Sequence, residues 1–155
     1  MNRFVAAVVA AILAVSPAAV SAQDYGRYSD AAAQTELGRI AEIQMAVMAP
    51  MRDGVGLATN VYRPKNATGR LPTVFVRTPY NELANNARTT RSALTWVSRG
   101  YAFVIQNERG RYFSEGKYEI LGYPQTDGYD TLSWIAKQPW SNGKVGTLGC
   151  SSSAE

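Results

Sequence analysis

The chain contains no histidine and a single cysteine, Cys150, among its 155 residues. Without histidine it cannot itself supply the commonest general base or the commonest zinc ligand. No carboxylate cluster at metal-ligand spacing stands in, so neither a metal nor a cofactor is expected. One cysteine excludes an intrachain disulfide. There is also no run of lysine or arginine: the 16 basic and 12 acidic residues are scattered. The resulting net charge of +4 reads as a solvated, mildly basic surface, and no nucleic-acid partner is expected. Internal repeats and low-complexity stretches are absent. What is present, 46% hydrophobic and 18% charged residues, is an ordinary globular composition of a length that suits one domain.

The first 22 residues have the organisation of a targeting segment. Arg3 gives a positive start, Phe4 to Val15 is unbroken apolar sequence, Pro17 breaks the helix, and Val20-Ser21-Ala22 offers small residues for a peptidase. The apolar run falls short of the roughly 20 residues a membrane span requires. The expectation is a secretory signal peptide over 1–22, cleaved after Ala22. A secreted or periplasmic protein with no membrane attachment would result.

Residues 23–42 are polar and alanine-rich and read as an N-terminal arm, either partly helical or loose. Residues 43–155 carry the folded pattern. Met45, Val47, Ala49 and Met51 alternate as a strand would, Arg52-Asp53-Gly54 turns, and Val55, Leu57, Thr59 and Val61 return, so 43–63 reads as a β-hairpin. Thr73–Val76 and Tyr101–Ile105 are short continuous apolar runs, the mark of strands buried on both faces. Helices are expected at 84–98 and 127–138, with Gly100 and Pro139 as their stop signals. Ser141-Asn142-Gly143 reads as a turn, and Lys144–Leu148 as a third short strand. After the hairpin the order is strand, helix, strand, helix, strand, which argues for an α/β fold with a parallel sheet covered by helices on both faces.

Gly149-Cys150-Ser151-Ser152-Ser153 follows that last strand and nearly fits G-x-S-x-G, the elbow that exposes a nucleophilic serine on a sharp turn between strand and helix. Ser153 replaces the second glycine, small for small. As a bare pattern a serine-rich tail is more often a plain loop; its place after the third strand favours a nucleophile at Ser151. Cys150 is the rival, but a lone cysteine beside a strand end ordinarily packs as a small buried hydrophobe. No partner histidine or nearby cation is apparent to activate it.

A longer series of matches, in order, covers 43–155. It runs from Met51-Arg52-Asp53-Gly54-Val55 and Tyr62-Arg63-Pro64 to Arg77-Thr78-Pro79-Tyr80-Asn81, then Ser98-Arg99-Gly100-Tyr101, Arg109-Gly110 and Ser114-Glu115-Gly116. It closes with Asp127-Gly128-Tyr129-Asp130, Trp134-Ile135-Ala136, Gln138-Pro139-Trp140-Ser141-Asn142-Gly143 and the elbow. On these residues the chain resembles the N-terminal part of the family of X-Pro dipeptidyl-peptidases, α-amino acid ester hydrolases and cocaine esterase. The resemblance implies the α/β-hydrolase fold and a serine acyl hydrolase acting on a small ester, amide or short peptide substrate. Residue by residue it implies Ser151 as nucleophile, the backbone N–H of Ser152 as one oxyanion donor and the phenol of Tyr80 as the other. Arg109, Asp127 and Asp130 are expected to be structural, capping a helix and bracing a loop. Asn107 stands where the family usually has aspartate.

The family's triad order, serine, then acid, then histidine, would place the acid and the base beyond Ser151. The chain is therefore expected to be the N-terminal part of its enzyme, inactive on its own and prone to aggregate through an open sheet edge. Within the enzyme reading, esterase, acylase and X-Pro peptidase action stay open. The alternative from another class is a non-catalytic secreted remnant of the fold.

Overall fold

The computed structural model describes residues 30–153 except 85, 121 and 122. The expected signal peptide and the first part of the arm lie outside the described residues. The rest of the arm is a helix, α1 (Asp30–Ile40), that leads without a loop into β1 (Ala41–Pro50). There follow β2 (Gly56–Pro64), β3 (Leu71–Thr78), α2 (Ala87–Ser98), β4 (Ala102–Asn107), α3 (Pro124–Lys137) and β5 (Ser141–Thr147).

The expected hairpin is present as β1 and β2, paired antiparallel from Ala41↔Pro64 to Pro50↔Gly56. Its turn closes by Met51 N–H to Val55 O at 2.8 Å, with Gly54 at φ +85°, a conformation that glycine adopts without steric cost. A bulge between Gln44 and Val47 interrupts β1; there the Ala46 N–H donates to the Asn60 side chain at 2.8 Å.

The five strands lie in the order β1-β2-β4-β3-β5. β2 runs antiparallel to β4, whereas β3 is parallel to both β4 and β5. The sheet is thus mixed: the alternating half is parallel as the pattern required, and the hairpin adds an antiparallel flank.

Alternation along the strands sends side chains to two covered faces. Val74, Phe103, Ile105, Ala58 and Tyr62 pack under α1 and α2, which contribute Leu37, Leu94 and Val97. Phe75, Val104 and Val61 pack on the other face against Ile135 of α3. Phe103, Ile105 and Ile135 are each at most 1% exposed. Burying side chains of this size contributes about 1.5–3 kcal/mol apiece.

Several boundaries differ from the sequence expectation, among them the start of α2, at Ala87 after the capping Asn86 rather than at 84. α3 begins at Pro124 rather than Asp127, because proline occupies the first helical turn, where its missing N–H costs nothing. Ser141-Asn142-Gly143 does make turn-type hydrogen bonds, Gly143 N–H to Ser141 Oγ and Lys144 N–H to Asn142 Oδ1. It nevertheless lies inside β5, where the pairing with β3 shifts register between Leu71 and Thr73. The turn is a strand irregularity, not a separate loop.

Candidate active site

The parallel strands β3, β4 and β5 end at the same edge of the sheet, and each continues into a segment carrying polar residues. After β5, the Leu148 N–H still reaches Phe75 O at 2.9 Å, and the chain then turns sharply. Ser151 sits in that turn at φ +55° and is exposed; Ser151–Ser153 form one turn of 3-10 helix, closed by Ser153 N–H to Cys150 O at 3.2 Å. A left-handed conformation at a residue with a Cβ costs on the order of 1–3 kcal/mol and is what a strained elbow requires. The Ser152 N–H is bonded to no group among the described residues, so it is free to donate.

After β3, the Pro79-Tyr80-Asn81 segment is held by its main chain. The Tyr80 N–H donates to Thr78 Oγ1 at 3.2 Å, and its carbonyl accepts from Glu82 N–H at 2.8 Å and from Asn107 Nδ2 at 2.8 Å. Arg111 Nε adds a bond to the Pro79 carbonyl at 2.8 Å. The backbone of Tyr80 is fixed on three sides while its ring is 48% exposed. Asn107 departs from the family's aspartate, and here its amide donates to two carbonyls, those of Tyr80 and Thr78. An ionised carboxylate could not make these bonds, because it only accepts.

Thr78 was matched in the sequence only as part of Arg77-Thr78-Pro79-Tyr80-Asn81, with no role of its own, yet it joins the two turns. It is fully buried, and Ser153 Oγ donates to its Oγ1 at 3.1 Å, the same oxygen that receives the Tyr80 N–H. The structure thus brings the elbow and the Tyr80 turn onto one residue. Its place in the Arg77-Thr78-Pro79-Tyr80-Asn81 match, at the end of β3 on an α/β carboxyl edge, is the signal that could have flagged it.

Cys150 is exposed, not buried as a lone cysteine ordinarily is. It lies at a groove of about 230 Å³ beside the elbow, with Leu148, Gly149 and Ser153 on one side and Glu82, Arg88 and Thr89 on the other. The short β5 ends before this segment, so nothing in the strand packing covers the cysteine.

Behind the edge lies a charge network. Arg109 binds Asp127 through two bonds, at 2.9 and 2.7 Å, and Asp53 through two more, at 2.8 and 3.2 Å. Its guanidinium also lies over the Tyr123 ring, 4.7 Å from the centroid. Arg52 grips Asp130 with both side chain and main chain. Hydrogen bonds from Arg52 hold the Asp130 carboxyl down at about 2, and those from Arg109 lower Asp53. Bonding to Asp127 in turn raises the pKa of Arg109. These residues brace the hairpin turn and the 107–120 loop against α3, as expected. Asp127 does not cap the helix: the cap position is Tyr123, which makes no side-chain capping bond, and Asp127 lies in the first turn.

Similarity to known proteins agrees with this geometry. Residues 53–155 match the family described as X-Pro dipeptidyl-peptidase (S15 family). Cocaine esterase of Rhodococcus sp. (strain MB1 Bresler) is 47% identical over 107 residues, covering 68% of this chain and 18% of that protein. Among solved structures, an α-amino acid ester hydrolase is 34% identical with a TM-score of 0.61, covering 70% of this chain and 21% of that one. A CocE/NonD family hydrolase from Staphylococcus aureus is 26% identical with a TM-score of 0.66, covering 74% and 24%. The strand order and helix placement are those of the N-terminal part of an α/β-hydrolase fold. The chain spans about a fifth of the length of these relatives.

Proposed function

The chain belongs to the X-Pro dipeptidyl-peptidase (S15) family, and on that premise we propose that it supplies the nucleophile and oxyanion hole of a serine acyl hydrolase. The observation that carries this reading is the left-handed Ser151, exposed on a turn at the carboxyl edge of the parallel strands. There its Oγ attacks an ester or amide carbonyl, the carbonyl oxygen becomes an oxyanion, and collapse expels the alcohol or amine to leave an acyl-enzyme that water hydrolyses. The Ser152 N–H and the Tyr80 phenol donate to the oxyanion. Preorganised donors of this kind are worth about 3–4 kcal/mol each in the transition state. The general base comes from outside these residues, since the chain has no histidine.

The substrate is a small ester, amide or short peptide; the relatives' names support esters first. The apolar segment Phe4–Val15 behind Arg3, with Val20-Ser21-Ala22, supports export with the mature chain beginning at Gln23, which N-terminal sequencing of the secreted product checks.

The test is turnover of a p-nitrophenyl ester and of an X-Pro p-nitroanilide by the whole protein that carries this chain. Ser151→Ala removes activity on whichever is cleaved, and Tyr80→Phe lowers kcat by about 10²–10³. Undiminished turnover in Ser151→Ala defeats the proposal, and a protein that cleaves neither probe points to a non-catalytic module.

A further inference from the structure

The residue at the position of the elbow's second glycine makes a contact that a glycine could not. Ser153 Oγ donates at 3.1 Å to Thr78 Oγ1, the buried oxygen that also accepts the Tyr80 N–H at 3.2 Å. Thr78 is held in turn through its carbonyl, which accepts from Glu108 N–H at 3.1 Å and from Asn107 Nδ2 at 3.4 Å. One hydroxyl oxygen therefore receives a hydrogen bond from each side of the site: from the turn that presents Ser151 and the Ser152 N–H, and from the turn that presents Tyr80.

From this geometry we infer that Thr78 and Ser153 are positioning residues, a hydroxyl clamp that sets the distance between the two oxyanion donors. The inference rests on the assignment of Ser151, Ser152 and Tyr80 made above. The physical case is one of tolerance. Oxyanion donors act only within about 2.7–3.1 Å of the oxygen they stabilise. A misplacement of about 1 Å, even by a change remote from the chemistry, costs up to about 10²-fold in rate. Each turn is otherwise fixed within its own neighbourhood. The Tyr80 turn is bonded to Asn107, Glu82 and Arg111, whereas the elbow turn reaches β3 through the Leu148 N–H and the Ser153 hydroxyl. Of these two, only the Ser153 bond lies on the far side of the nucleophile. Losing it leaves both donors in place but frees the spacing between them, which acts on the transition state more than on substrate binding.

The experiment compares Ser153→Ala, which removes the hydroxyl, with Ser153→Thr, which keeps it, in the whole protein assayed on the p-nitrophenyl ester. Thr78→Val, Thr78→Ser and the Ser153→Ala/Thr78→Val double variant complete the cycle. The expected result is a kcat about ten-fold lower in Ser153→Ala, between no effect and the loss of a whole donor, with KM within two-fold of wild type. Ser153→Thr and Thr78→Ser restore most of kcat, and the double variant is no slower than Thr78→Val alone, because the two residues share one bond. Should Thr78→Val fail to fold, the Ser153→Ala and Ser153→Thr pair decides. Wild-type kcat in Ser153→Ala, no recovery in Ser153→Thr, or an effect confined to KM overturns the clamp. If Ser151→Ala is inactive while Ser153→Ala is fully active, the clamp alone falls; if Ser151→Ala stays active, both readings fall.

Discussion

Replacing Arg109 by methionine tests whether the charge network braces the edge that carries the site. The change keeps the apolar stem and removes the guanidinium. What remains is the Asp127 carboxylate, whose side chain is only 4% exposed, stripped of its two bonds to arginine. Orphaning a buried charge in this way costs about 3–5 kcal/mol. The Asp53 contact adds little, because that side chain is 49% exposed and water screens it. In dilute protein, urea unfolding followed by tryptophan fluorescence reads the change, since Trp134 and Trp140 pack against the α3 face of the core. With a slope of about 2 kcal/mol per molar urea, the midpoint falls by about 1.5–2.5 M. The control is Arg52→Met, where the arginine side chain is 55% exposed and water screens its ion pair, so its loss costs far less. Replacing both members of the buried pair, Arg109→Met with Asp127→Leu, recovers much of the loss because no charge is left orphaned. A midpoint for Arg109→Met no lower than that of Arg52→Met refutes the reasoning.

Three further outcomes are expected. Arg52 holds Asp130 at about 2, below the roughly 3.9 of an unfolded aspartate, so the ionised carboxylate stabilises the fold above that value. That contribution is lost as pH falls from about 4 through 2; melting temperatures over this window slope less steeply in Arg52→Gln, and an unchanged slope contradicts the pairing. At Gly110, φ is +68° and an added Cβ would lie 2.2 Å from the Tyr118 backbone nitrogen, so Gly110→Ala must open the 107–120 loop. Trypsin then cuts faster at Arg111 and Lys117, and an unaltered digestion rate counts against the tight loop. β5 pairs with β3 along one edge only among the described residues, so the isolated 155-residue chain self-associates at micromolar concentration, whereas Gly146→Lys, which places a charge on the exposed strand, shifts gel filtration toward monomer. Equal elution of the two would rule out the edge as the cause.

The fold was legible wherever burial imposes a period. The runs Thr73–Val76 and Tyr101–Ile105 announced strands because both faces had to be apolar, and those strands are present. The segment from Met45 is a strand as well, but a bulge between Gln44 and Val47 breaks its alternation and Met45 is exposed. The α/β alternation then followed from connectivity. Boundaries set by backbone detail were harder: Tyr123 enters α3 in a left-handed conformation with no capping side chain, and the turn at Ser141–Gly143 is absorbed into β5. Interactions that span the chain were not legible at all. Arg52 meets Asp130 across 78 residues, and Thr78 meets Ser153 across 75, contacts that no local pattern encodes. Cys150 shows the limit of residue averages, since cysteine is usually buried and this one is exposed.

The most direct test of the central claim is the site of covalent capture. Treating the whole protein with a fluorophosphonate and mapping the adduct by mass spectrometry places it on Ser151, in the tryptic peptide that begins at Val145, and no adduct forms in Ser151→Ala. An adduct on Cys150 or outside this peptide, or one that persists in Ser151→Ala, contradicts Ser151 as the nucleophile.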